Sequence, residues 1–172
     1  GQFDSVRAVR AAVAWFAKNE IGVRRRQATR FTAILCANPD GLMVGLGAAN
    51  GAGGRVDRGY PPKGPAYLSP TAPEAAYLWR WLGMRAPDVV IDVRAGEKLR
   101  VSMLGEVAAE SEPSATRATV WPDFARRLGA TTDGLEADDL VAALPRSAVG
   151  GVGTIPAVRI ETPMERAGES LE

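Results

Sequence analysis

Four short groups of residues in this 172-residue chain carry the side chains most able to do chemistry: Asn38-Pro39-Asp40-Gly41, Asp57-Arg58, Arg94 and Glu161. A guanidinium such as that of Arg58 or Arg94 can grip a carboxylate through two parallel hydrogen bonds. A carboxylate such as Glu161 can accept a proton. Each group also has a plain structural use. Asn-Pro-Asp-Gly makes a turn unaided, Arg58 can be solvated, Arg94 can pair with Asp92 or Glu161, and Glu161 can end a strand. Histidine is absent and Cys36 is the single cysteine. No Ser-His-Asp or Cys-His machinery can therefore exist within the chain, and neither can a histidine-based zinc site or an internal disulfide.

The elements that must position these groups follow from periodicity and punctuation. Val6, Val9, Val13 and Phe16 recur at helical spacing, which predicts an amphipathic helix from Asp4 to about Lys18, with a polar basic loop after it. Phe31–Cys36 reads as a buried strand running into the Asn38–Gly41 turn. Residues 42–72 resist a regular assignment and read as a long functional or mobile loop rich in glycine and proline. Pro73-Glu74 opens a helix to about Leu82, with Tyr77, Leu78, Trp81 and Leu82 on its apolar face and Gly83 to end it.

Asp88–Arg94 is the clearest strand, β-branched and bounded by Pro87 and Gly96. Lys98–Leu104 and Ala157–Glu161 read as two more strands. Residues 106–119 form a polar insertion, followed by helical patterns at 122–128 and 136–144. Helices alternating with nearly continuous apolar strands predict one α/β domain with a mixed, mostly parallel sheet flanked by helices. The candidate groups then fall at strand ends and in the loops that follow them, where such folds collect their ligands.

Charge and hydropathy narrow the partners. The net charge of +1 hides an asymmetry: residues 1–30 hold seven basic and two acidic side chains, and residues 97–172 hold eight basic and thirteen acidic ones. The run Arg24-Arg25-Arg26 lacks the interleaved aromatics of a single-strand platform, so nucleic acid is not an expected partner. No apolar stretch approaches the roughly 18 residues of a membrane span, and no membrane partner is expected.

In their order and spacing these groups resemble the zinc carboxypeptidase family. Asn38-Pro39-Asp40-Gly41 matches that family's Asn-Pro-Asp-Gly outright. Val56-Asp57-Arg58-Gly59-Tyr60-Pro61 is similar to its Asp-Leu-Asn-Arg-Asn-Phe-Pro motif, and Ala72-Pro73-Glu74-Ala75 to its Pro-Glu helix start. Residues 87–96 resemble the strand that ends in a zinc-binding histidine, and residues 155–163 the strand that bears the catalytic glutamate. The resemblance spans residues 1–105 and 150–163. It implies a carboxypeptidase-like α/β fold, shortened at both ends, whose exposed sheet edges a flanking segment or a second copy would cover.

The departures from the pattern bear on function. Phe3 stands where a zinc-ligating glutamate would be, and Arg94 stands at the later histidine position. Arginine stays protonated and offers no lone pair to a metal. A catalytic zinc needs three protein ligands, so no metal or other cofactor is expected. The resemblance assigns Arg58 to gripping a substrate carboxylate, Glu161 to the general base, and Asn38, Asp57 and Arg94 to the substrate side. Asp57 replaces the family's asparagine, Arg55 is a weak match to its oxyanion-stabilising arginine, and its late tyrosine has no counterpart.

The implied function is a metal-free, non-catalytic domain that binds a peptide, an amino acid or another carboxylate in a remnant cleft. In that reading Arg94 replaces the charge of zinc and pairs with Glu161. One alternative is a hydrolase, peptidase or amidohydrolase, of altered mechanism with Glu161 as base. Another is an interaction module presenting the 45–64 loop and Trp15, Trp79 and Trp121.

Overall fold

The computed structural model describes residues 2–62, 71–103, 123, 124, 126–149 and 153–163, with residues 2–4 as backbone only. The first predicted helix is α1 (Gln2–Lys18), and its Val6, Val9, Val13 and Phe16 are half-buried along one face. The basic run that follows is helical, which corrects the expected loop. Asn19 accepts a hydrogen bond from Ile21 N at 2.9 Å and so caps α2 (Glu20–Arg25), with Glu20 in its first turn and Arg24 and Arg25 in its last. Both charges oppose the helix dipole in the stabilising sense. Gly22 permits the tight approach of α2 to α1, since a Cβ there would lie 2.6 Å from the Phe16 carbonyl oxygen.

Residues 31–36 form no strand. Phe31, Ile34 and Leu35 are 44–45% exposed, and Phe31 stacks on Phe16 with ring centroids 5.2 Å apart. An apolar hexapeptide becomes a buried strand only beside a strand that completes its backbone hydrogen bonds, and among the described residues none pairs with this one. The Asn-Pro-Asp-Gly turn is instead the start of α3 (Pro39–Val44), which Gly45 ends in the left-handed conformation at φ 71°.

The predicted Pro-Glu helix is α4 (Pro73–Arg85), longer than expected. Gly83 lies inside it and is buried, and the chain leaves at Ala86. The buried face is Ala75, Ala76, Trp79, Leu82 and Gly83, while Tyr77 is exposed and Leu78 and Trp81 are half-buried. The small residues let the helix approach the core closely around Trp79; of the predicted face Leu82 is buried and Leu78 and Trp81 pack against the core, while Tyr77 turns outward. Trp79 packs 5.8 Å from the buried Tyr60 ring, whose hydroxyl donates to Val56 O.

β1 (Val90–Gly96), β2 (Arg100–Met103) and β3 (Ala157–Pro163) make a three-stranded mixed sheet of order β1-β3-β2. β1 runs parallel to β3 and β2 antiparallel to it, so the sheet is evenly mixed, not mostly parallel. The three residues between β1 and β2 are far too few for a parallel crossover, and β2 must return in the opposite sense. α5 (Leu140–Ala143) is the ordered remnant of the 136–144 pattern; residues 136–139 are turns. Its Leu140, Val141 and Ala143 join Tyr60, Trp79, Leu82, Val149, Ile155 and Ala157 in the main core. Residues 123, 124, 126 and 127 are helical. The polar insertion at 106–119 and Trp121 lie outside the described residues. Among the described residues no helix is long and apolar enough to cross a membrane.

Candidate functional site

Alternation along the strands divides the sheet into two unlike faces. Registered pairs put Asp92 beside Arg159, Arg94 beside Glu161, Glu161 beside Arg100 and Arg159 beside Ser102, all on one face. Val93, Val101, Met103, Val158 and Ile160 occupy the other, and α1 packs against β1 and β3. A row of charges on a partly buried sheet face requires partners. The 55–60 and 134–139 loops supply them.

Arg94 is the hub. Its Nε donates to Asp92 Oδ2 at 2.8 Å, Nη1 to Asp57 Oδ2 at 3.3 Å and Nη2 to Asp139 Oδ1 at 3.1 Å. Arg159, 3% exposed, donates from Nε to Asp92 Oδ2 at 3.3 Å and from Nη1 to Gly134 O at 3.2 Å. Its Nη2 lies 2.6 Å from Asp139 Oδ1 in an ion pair too bent to count as a hydrogen bond. Arg55 completes the group with two hydrogen bonds to Asp57, from Nε at 2.9 Å and Nη2 at 2.6 Å. Arg55, Arg94 and Arg159 thus balance Asp57, Asp92 and Asp139 charge for charge.

The electrostatics follow from that packing. Burial acts to raise the Asp57 carboxyl, but hydrogen bonding to Arg55 and the charges of Arg94 and Arg55 outweigh it and hold the group below its ordinary range. Burial acts to lower Arg94, and the carboxylates of Asp92, Asp139 and Asp57 more than offset it, so Arg94 is held more firmly protonated than a free arginine. Burial, with the nearby Asp92 charge, pushes the Tyr60 phenol up, so it stays neutral.

A carboxyl whose folded pKa is depressed contributes stability above its unfolded pKa and loses it as pH falls through the folded value. Thermal unfolding is therefore expected to be level through neutral pH and to weaken as pH drops below about 4, the ordinary range of an aspartate. Asp57→Asn should be less stable at pH 7 and show a shallower loss in acid. Parallel melting curves across the whole acid range would remove Asp57 from this account.

The sequence-predicted site residues are only partly brought together. Asp57 and Arg94 meet. Arg94 and Glu161 are register neighbours, but they do not form the expected pair: Glu161 Oε2 lies 3.6 Å from Arg100 Nη1, and Arg94 is held by three aspartates. The physical reason is burial. Asp139, 2% exposed, and Asp92 compete for the Arg94 guanidinium at shorter distances and with less water.

Asn38 is a structural residue. It accepts from Gly41 N at 3.0 Å, capping α3, and donates to Gly47 O at 3.2 Å and Ala49 O at 2.9 Å, which folds the glycine-rich loop against the helix start. Its weakly specific turn motif therefore has a full structural explanation.

Arg58 faces away from the cluster. The 57–58 and 138–139 segments lie side by side: Tyr60 N donates to Asp138 O at 2.9 Å and Gly59 N to Asp138 Oδ2 at 3.3 Å. Asp57 and Asp139 turn inward to Arg94, while Arg58 turns to the other side. There its Nη2 is 3.7 Å from Glu136 Oε1 and its Nη1 3.9 Å from Asp138 Oδ1, both beyond hydrogen-bond reach. Its Nε is buried with no hydrogen-bond partner. Arg58 is thus the loosely held cation beside a charge-balanced network.

The donor set does not fit zinc. The lone pairs of Asp57, Asp92 and Asp139 are directed at guanidinium groups, and the described residues contain no group of three His, Cys, Asp or Glu side chains arranged to hold a metal ion. Sequence reasoning missed Asp139 and Arg159 and named Asp92 only as a structural partner. A usable signal was present for two of them: Asp92 and Arg159 are opposite charges placed in the middle of two apolar strands. Comparisons with protein-family models, with curated proteins and with solved structures find no match to this chain.

Proposed function

We propose that the chain is a metal-free, carboxypeptidase-like domain without catalytic activity that binds an amino acid or a peptide end through Arg58. The observation that carries this reading is the contrast between neighbouring arginines. Arg55, Arg94 and Arg159 are occupied by carboxylates at hydrogen-bond distance, whereas among the described residues Arg58 has only two long contacts and a buried, unpartnered Nε. A ligand carboxylate would supply the bidentate contact Arg58 lacks. Glu136 and Asp138, each more than half exposed, would then face the ligand's ammonium group. That pairing favours a zwitterion over a bare anion.

The retained motifs support the family resemblance, with Arg58 in the carboxylate-gripping position. The hydrolase alternative draws less support, because Glu161 and Arg94 are turned to different partners and do not converge. In calorimetric titrations L-leucine should bind more tightly than N-acetyl-L-leucine. Arg58→Ala should weaken L-leucine binding about tenfold or more, the worth of hydrogen bonds to a charged group. Equal affinity in wild type and Arg58→Ala would overturn the assignment, and turnover of C-terminal peptides lost in Glu161→Gln would favour the hydrolase.

A second reading has its own observation. Phe31, Ile34 and Leu35 form an exposed apolar run, and Trp15 is 50% exposed, as an interaction module would present. Trp79, expected to serve contacts in that reading, is buried in the core.

A further inference from the structure

The two outer edges of the sheet are treated differently. β2 is covered: Met103 N donates to Thr131 O at 2.9 Å and Thr131 N donates to Val101 O at 3.0 Å. β1 is not. Val90 N donates inward to Pro156 O at 2.9 Å, so by alternation residues 90, 92, 94 and 96 bond β3, while Ile91, Val93 and Ala95 turn their N–H and C=O groups outward. Among the described residues those outward groups have no backbone partner. Proteins usually blunt such an edge.

We infer that the β1 edge is a homodimer interface, in which β1 pairs antiparallel with β1 of a second copy about a two-fold axis at Val93. The strand Val90-Ile91-Asp92-Val93-Arg94-Ala95-Gly96 is self-complementary in this register. Val93 faces its own copy and exchanges both backbone hydrogen bonds with it, as an outward-facing residue must. Asp92 of one copy falls opposite Arg94 of the other, twice by symmetry, in the pair type whose side chains approach most closely. Opposite charges there favour the pairing, whereas like charges would block it. Capacity remains for the contact: Arg94 uses three of its five N–H groups within its own chain, and among the described residues the hydrogen bonds to Asp92 fall on Oδ2. Ile91, 51% exposed, would be covered by the partner. The interface is isologous, so association closes at two copies.

Sedimentation of the full chain from micromolar to submillimolar concentration should give twice the chain mass at the upper end. Dissociation should increase with salt. Ile91→Pro removes an outward N–H that β3 does not use, and it should weaken dimerisation on the order of tenfold. Hydrogen exchange on the unaltered chain gives an independent reading: the amides of Ile91, Val93 and Ala95 should be protected at high concentration and exchange freely at low concentration. A monomer throughout, or a dimer in which those three amides stay unprotected, would overturn the proposal. A dimer held by the 31–35 apolar run would show the second outcome.

Discussion

Asp139→Ala is expected to destabilise the fold more than any other single change at the charged cluster. Asp139 is 2% exposed and faces Arg94 Nη2 at 3.1 Å and Arg159 Nη2 at 2.6 Å. Its second oxygen accepts from Glu136 N at 3.4 Å, which fixes the turn leading into α5. Removing it leaves two guanidinium groups in a partly dry site with one carboxylate fewer between them. Breaking a buried pair on one side costs about 3–5 kcal/mol, because the orphaned charge stays desolvated. In a chain of this length that corresponds to a fall in Tm on the order of 10 °C. Arg159→Met with Asp139→Leu should recover much of the loss, since replacing both partners by apolar groups removes the orphan. A drop of under about 1 kcal/mol in Asp139→Ala would mean that water already screens the cluster.

The second large effect is expected from Asn50→Asp, an isosteric change. Asn50 is 2% exposed and every polar atom of its amide is used. Nδ2 donates to Thr71 O and Glu74 Oε2, each at 2.8 Å, and Oδ1 accepts from Ala52 N at 3.1 Å and Gly54 N at 2.8 Å. This amide ties the glycine-rich loop to the start of α4. The loop approaches so closely that a Cβ on Gly54 would lie 1.8 Å from the Thr71 carbonyl oxygen. An aspartate at position 50 removes both donors and sets a carboxylate against Glu74. The cost should be about 3 kcal/mol at neutral pH, from unsatisfied buried acceptors and like-charge contact. Glu74→Gln in the same chain should return part of it by restoring a donor. No recovery in the double variant would show that the effect arises elsewhere in the loop.

Both residues show where sequence reasoning succeeds and where it stops. α1, α4, β1 and β3 were legible because their signals are local: helical spacing of Val6 to Phe16, Pro73-Glu74 at a helix start, β-branched runs between breakers. The full buried face of α4 was not, because small Ala75, Ala76 and Gly83 extend it in a way that a count of large apolar residues overlooks. Phe31–Cys36 failed as a strand for a different reason. A short apolar run states what it would do beside a partner, and the partner is a property of the fold.

The candidate site divides the same way. Arg94 and Asp57 were visible as chemistry-bearing residues, but Arg94 was expected to pair with Glu161, and its contact with Asp57 comes from the fold. Asp139 was hidden in a segment that reads as the start of a helix, 45 residues from Arg94. Its role follows only from the turn that precedes α5. The division of Asp57-Arg58 into an inward acid and an outward base comes from local backbone geometry against residues 138–139, which no spacing rule encodes.

The central claim is that Arg58, and not the carboxylate-bound Arg94, holds the ligand. It is tested most directly by following the arginine Nε–H resonances by NMR during a titration with L-leucine. The account predicts that the Arg58 Nε–H shifts and saturates, while those of Arg94 and Arg159 stay in place. A saturable shift at Arg94 with Arg58 unmoved would contradict it.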